Sequence, residues 1–121
     1  MSIPNGKARV LVVDDSESTR SLICGLLARR GFAVVGEAAT VAGAFEATQR
    51  LIPDMVLLDV HLPDGNGFDL CARLTAAHAR LAVLLVSADR DDAFHHLAEA
   101  SGARGFVPKS QLAQADLSNF L

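Results

Sequence analysis

Val10-Leu11-Val12-Val13-Asp14-Asp15 is a short aliphatic run that ends on two adjacent acids. The same pattern recurs down the chain. Met55-Val-Leu-Leu58 ends on Asp59, Leu81 to Val86 ends on Ser87, and Gly105-Phe-Val107 leads through Pro108 to Lys109. Each run is β-branched or aliphatic and short enough to be a buried strand. Helical patterns lie between them, which argues for βαβ units and a parallel sheet. In an open sheet of that kind ligands bind outside the carboxyl ends of the strands. Three carboxylates, a hydroxyl and an ammonium are therefore expected in one crevice, an inventory that suits metal-assisted phosphoryl transfer to a carboxylate.

Composition narrows the class. The 121 residues are 50% hydrophobic and 21% charged, as in one compact domain and unlike a disordered chain. A formal net charge of −3 gives no support for direct nucleic-acid binding by this domain. Residues Met1 to Lys7 include Pro4 and Gly6, and the apolar run that follows is too short for a signal peptide. Nothing approaches the ~20 apolar residues of a spanning helix. Cys24 and Cys71 fall within helical apolar patterns and read as reduced core thiols of a cytoplasmic protein.

The helices are marked by caps and stripes. Ser16 caps a helix with an apolar stripe of Leu22, Ile23, Leu26 and Leu27, basic at its end (Arg29, Arg30) and stopped by Gly31. Phe32 to Val35 reads as the second strand. Thr40 caps a helix with Val41, Ala44, Phe45, Thr48 and Leu51 at helical spacing, closed by Pro53. Leu62-Pro63-Asp64-Gly65 favours a type I turn, and Phe68, Cys71, Ala72 and Thr75 mark the third helix. The fourth starts at Asp91 or Asp92, carries Phe94, Leu97, Ala98 and Ser101 on one side, and ends at Gly102. Ser110 is expected to open a last helix bearing Leu112, Leu117 and Leu121.

The ordered set of motifs resembles the receiver domain of bacterial two-component response regulators. It comprises Asp14-Asp15, Leu58-Asp59 with Leu62-Pro63-Asp64-Gly65, Ser87-Ala88, and Phe106 with Lys109, and it covers essentially the whole chain, residues 1–121. The resemblance implies a single (βα)5 flavodoxin-like three-layer domain with a parallel sheet of order 2-1-3-4-5. It implies that Asp59 accepts a phosphoryl group from a histidine kinase or phosphotransfer protein. Asp15, Asp59 and the backbone carbonyl of His61 would bind Mg²⁺, with Asp14 helping through a water. Lys109 would neutralise developing charge, Ser87 would hydrogen-bond the attached phosphoryl group, and Phe106 would be an aromatic switch that rotates inward. The signal would be read at a face formed by the fourth helix, fifth strand and fifth helix, through which two copies would also pair. Such a domain catalyses only its own phosphorylation and dephosphorylation. It occurs alone or as part of a longer regulator.

Elementary electrostatics points the same way, because clustered carboxylates repel and a divalent cation relieves the repulsion at neutral pH. All-oxygen ligands select Mg²⁺ or Mn²⁺. Two features depart from the family pattern or stay open. Many members have Pro after the Lys, often with a cis bond, whereas here Pro108 precedes Lys109 and Ser110 follows. His61 and Asp89 stand where the family tunes access of water to the acyl phosphate. The other histidines read more plainly: His95 and His96, near Glu99, as a solvated face, and His78 as a turn residue.

Each residue alone has an ordinary reading: Asp14, Asp15 and Asp59 as caps or turn formers, Ser87 as a loop hydroxyl, Lys109 as a solvated lysine, Phe106 as core. Three rival functions follow from the same inventory. A small haloacid-dehalogenase-like phosphatase would carry two Asp residues two positions apart after the first strand, whereas this pair is adjacent. A flavodoxin-like binding module would need a Ser-, Thr- or Gly-rich phosphate loop where two acids stand. A receiver-like binding module that is never phosphorylated is the third.

Overall fold

The computed structural model describes residues 7–88 and 92–121, apart from the side chains of residues 92 and 93. Five strands alternate with four helices. The strands are β1 (Arg9–Val13), β2 (Ala33–Ala38), β3 (Met55–Asp59), β4 (Ala82–Ser87) and β5 (Gly105–Pro108). The helices are α1 (Glu17–Arg29), α2 (Val41–Leu51), α3 (Gly67–Ala77) and α4 (Asp92–Ala100). All pairings within the sheet are parallel, in the order 2-1-3-4-5.

The central strands are buried on both faces. Every residue of β3 and of β4 is inaccessible to solvent, which is why they read as unbroken apolar runs and not as alternating ones. Strand alternation still sorts them. Leu11, Val13, Val56, Leu58, Val83 and Leu85 pack with Ala44, Ala47, Leu70, Leu74 and Ala98 of α2, α3 and α4. Val10, Val12, Met55, Leu57, Leu84 and Val86 pack with Ile23 and Leu27 of α1 and with Leu112 and Leu117. The result is a three-layer α/β fold.

Caps set where the helices begin and end. Ser16 accepts a hydrogen bond from the Thr19 amide and Thr40 from the Gly43 amide, each worth about 1 kcal/mol. Gly31 and Gly102 take left-handed backbone angles, φ +83° and +87°, which glycine adopts without a Cβ penalty.

Several expected details differ. Leu22 is 75% exposed and Leu97 47% exposed, and Ala72 also faces solvent. The buried positions of α1 are Ile23 and Leu27, and those of α3 are Gly67, Leu70, Cys71 and Leu74. The apolar stripes are thus narrower than the residue types suggest. The second strand begins at Ala33 and runs three residues past Val35, to Ala38. The turn at Pro63-Asp64 closes a small antiparallel hairpin between His61–Leu62 and Gly65–Asn66 before α3 starts. Asp91 and Asp89 lie outside the described residues.

The last helix is the main correction. Residues after β5 form two short 3-10 turns, Lys109–Gln111 and Leu117–Phe120. Leu112 and Leu117 are both buried in the same core cluster, yet they stand five positions apart. On one α-helix that spacing would set them about 140° apart, so a continuous helix could not bury both. Asp116 adds a local stop, because its carboxylate accepts from both the amide (3.2 Å) and the hydroxyl (2.6 Å) of Ser118.

Ile52, the residue closing α2, has φ +49° and is 66% exposed. For a β-branched residue the left-handed region costs about 1–2 kcal/mol. Ile52→Asn should therefore raise the unfolding free energy by roughly 0.5–1 kcal/mol. Urea denaturation checks this, and an unchanged or lower midpoint would contradict it.

Candidate functional site

Register brings the chemistry together. Val13 on β1 stands opposite Leu58 on β3, so Asp14 and Asp59 leave adjacent strands side by side. Asp59 pairs in register with Val86, and Ser87 with Pro108. Ser87 is thus one step beyond the partner of Asp59, and Lys109 one step beyond the partner of Ser87. One oxygen from each of Asp14, Asp15 and Asp59 lies within 4.8 Å of the others. Asp14, Asp59 and Ser87 are buried, while Asp15 is exposed at the mouth.

Lys109 ties two of the acids together. Its Nζ lies 2.7 Å from Asp14 Oδ2 and 3.1 Å from Asp59 Oδ2. The second oxygens are held by backbone amides: Ser16 donates to Asp14 Oδ1 at 2.9 Å and His61 to Asp59 Oδ1 at 3.1 Å. No peptide bond among the described residues is cis, so Lys109 reaches the acids from an all-trans loop.

Three carboxylates against one ammonium leave two negative charges when all are ionised. Asp14 Oδ2 is buried and accepts no directed hydrogen bond among the described residues, the ammonium being its ion-pair partner. Octahedral Mg²⁺ with oxygens at about 2.1 Å needs ligands roughly 3–4 Å apart, and the three oxygens here all lie within 4.8 Å of one another. The donor set is all oxygen, which suits a hard divalent cation.

Burial drives the Asp59 carboxyl above its ordinary range. It outweighs the opposing effects of the His61 amide and the Lys109 ammonium, and repulsion from Asp14 adds to it. For Lys109, burial pushes the ammonium down, but its contacts with Asp14 and Asp59 prevail and its pKa is raised.

The sequence reading missed the supporting roles of three residues. Asp64, in the hairpin turn, accepts from the Val41 and Ala42 amides at 2.7 and 3.1 Å and so caps α2 from outside; these bonds hold its carboxyl low. Gly67 presses against the loop after Asp59: a Cβ there would stand 2.5 Å from the Asp59 carbonyl oxygen. Arg20 donates to the Asp14 carbonyl at 2.7 Å and to Glu37 at 3.0 Å. A cation in the first turns of a helix opposes the helix dipole, and that anomaly was the available signal for Arg20.

Phe106 is buried in this structure. Its ring stands edge-on to Phe94 (centroids 5.8 Å apart) and to His95 (5.0 Å). His95 is therefore not a purely solvated residue: it is exposed, but it packs on the Phe106 ring. Phe94 also meets the rings of Phe68 at 5.4 Å and His61 at 6.1 Å. Cys24 and Cys71 are unpaired, half-buried and buried respectively.

The sequence profile described as "Response regulator receiver domain" matches residues 10–120. The chain belongs to the response regulator receiver family. The receiver is 39% identical over 102 residues to the DNA-binding transcriptional activator DevR/DosR of Mycobacterium tuberculosis, covering 84% of this chain and 47% of that protein. It is 31% identical over 101 residues to the chemotaxis protein CheY of Thermotoga maritima, covering 84% of each. A LuxR-family two-component response regulator from Aurantimonas superposes with a TM-score of 0.87 at 30% identity, over 94% of this chain and 81% of that one. The receiver spans about half the length of the first curated relatives it matches. Its fold is the flavodoxin-like receiver fold. Neither the phosphatase nor the flavodoxin-type alternative is favoured by these relatives.

Because the Asp59 pKa is raised on folding, the receiver gains stability from this group at pH values below the unfolded carboxyl range. That stability is lost as pH rises through the folded value. In metal-free buffer Asp59→Asn should therefore unfold at a higher temperature than wild type near neutrality, and the margin should shrink as pH falls toward 4. Thermal unfolding in EDTA across that range checks the sign. A less stable variant at pH 7 would contradict it.

Proposed function

We propose that Asp59 is the phosphoacceptor of a phosphorelay and takes a phosphoryl group from a kinase's phosphohistidine. The observation that carries the reading is the Lys109 ammonium held between buried Asp14 and buried Asp59, with exposed Asp15 alongside. An oxygen of Asp59 attacks phosphorus in line, the bond from phosphorus to the donor's imidazole nitrogen breaks, and an acyl phosphate forms. Lys109 then transfers part of its pairing from the carboxylate to the phosphoryl oxygens. Asp15 and Asp59 would hold Mg²⁺ directly, with the His61 carbonyl as a further ligand and Asp14 acting through water. When bound, the ion neutralises charge on the phosphoryl oxygens. The receiver thereby catalyses its own phosphorylation and dephosphorylation.

The output follows from Ser87 and Phe106. Ser87 moves toward the phosphoryl oxygens, and the packing of Phe106 against Phe94 and His95 readjusts. That changes the face made by α4, β5 and the 3-10 segment after it, where an output partner, an attached output domain or a second copy of the receiver would dock. Relatives named as DNA-binding regulators support a transcriptional output carried outside these residues. Residues 1–121 act as one receiver domain in the cytoplasm, in keeping with unpaired cysteines and with no helix among the described residues long and apolar enough to cross a membrane.

Incubation with acetyl phosphate and Mg²⁺, read by intact mass, should add one phosphoryl group to the wild type and none to Asp59→Asn or to wild type in EDTA. Incorporation by the variant at the wild-type rate would sink the assignment.

A second expectation concerns coupling. Two charge-assisted hydrogen bonds, at about 1.5–3 kcal/mol each, supply about 3–6 kcal/mol, the range needed to invert a two-state population. Ser87→Ala should still accept phosphate at Asp59 but fail to shift the resonances of Phe106 and α4. Shifts as large as in wild type, seen by NMR with beryllofluoride, would show that Ser87 is not the link.

A further inference from the structure

We propose that Arg20 is a positioning residue for the metal-binding acids, acting through the backbone of Asp14. The inference rests on the phosphorelay reading above and adds a residue to it.

Arg20 lies in α1, one turn beyond the acidic pair, and its side chain is only 16% exposed. The two ends of its guanidinium serve different partners. Nη1 donates to the Asp14 carbonyl oxygen at 2.7 Å, and Nε donates to the Glu37 carboxylate at 3.0 Å. Glu37 belongs to β2, where it pairs in register with Val12 of β1. The next residue, Ala38, accepts the Asp14 amide at 3.0 Å through its carbonyl. The Asp14 backbone is thus fastened on both sides to β2: its N–H directly, its C=O through Arg20 and Glu37.

The consequence falls on Asp15. The carbonyl that Arg20 holds shares its rigid peptide plane with the Asp15 amide. Fixing that plane fixes the direction in which exposed Asp15 leaves the strand, without a contact to its carboxylate. A Lys could not replace the fork, because one ammonium on a flexible stem does not present two fixed donors to separated acceptors.

Two roles for Arg20 predict opposite signs. As a mere cation on the Asp14 backbone, it would repel a divalent ion, and its removal would tighten Mg²⁺ binding. As a positioning residue, its removal would weaken binding, since loss of a group that orients a metal ligand typically costs about 10–100-fold in affinity.

The test is Mg²⁺ affinity of the full chain, followed by NMR titration well below the unfolding temperature, for wild type, Arg20→Ala and Arg20→Lys. Arg20→Ala should bind about tenfold more weakly. Arg20→Lys should also bind more weakly than wild type despite keeping the charge, and it carries the test alone if the Ala variant does not fold. In metal-free spectra the Asp15 amide resonance should move in both variants. A purely structural role would lower the unfolding temperature and leave the affinity of the folded protein unchanged. Binding as tight as wild type, or tighter, in either folded variant overturns the proposal. If wild type shows no saturable Mg²⁺ binding, the metal assignment falls and this inference with it; wild-type binding with unaltered variants removes this inference alone.

Discussion

The structure depends on one ammonium placed between two buried carboxylates. Lys109 Nζ reaches Asp14 and Asp59 at once, at 2.7 and 3.1 Å, and those acids sit on neighbouring strands at the sheet's carboxyl edge. Without a cation there, two buried acids facing each other would carry a desolvation cost that the single amide donated to each by Ser16 and His61 offsets only in part. The strand order makes the contact geometrically feasible: β1 beside β3 pairs the acids, and β5 beside β4 brings the lysine back to them. Lys109 does not complete the charge balance. Asp15 remains outside the ion pair, so the pocket is held together and still attractive to a divalent cation.

Holding Asp59 in this way sets folding against chemistry. Its carboxyl is pushed upward mainly by burial, so the fold disfavours the ionised form that the proposed attack on phosphorus requires. The cost is localised. The backbone around Asp59 is built for close approach, with Gly67 against the Asp59 carbonyl and the Gly67 amide bonded to the Val60 carbonyl at 2.7 Å. Asp64 ties the same hairpin to α2. The loop after Asp59 is therefore supported from α2 and α3, with an oxygen of Asp59 within 4.8 Å of one from Asp15.

Much of this was legible in the sequence because the informative residues sit at strand ends. Apolar runs closing on Asp14-Asp15, Asp59, Ser87 and Lys109 specify both the strands and the crevice, and Ser16, Thr40, Gly31 and Gly102 marked helix boundaries through their backbone chemistry. What stayed hidden depends on contacts between distant segments. Leu22 and Leu97 have core-like side chains but point outward, since stripe width is decided by what packs opposite. The absence of a last helix was foreshadowed by the five-residue interval between Leu112 and Leu117, which leucine content alone obscures. Asp64 and Gly67 looked like turn residues, and they are; their second roles, toward α2 and toward Asp59, exist only once the chain has folded.

The central claim is that the three acids and Lys109 form a phosphoryl site whose acceptor is Asp59. Fluorine NMR of beryllofluoride, a phosphoryl mimic that bonds to a carboxylate oxygen, tests it most directly. Wild type with Mg²⁺ should show bound fluorine signals, and these should vanish without the metal and in Asp59→Asn. Bound signals that persist unchanged in Asp59→Asn, or that form equally well without a divalent cation, would contradict the account.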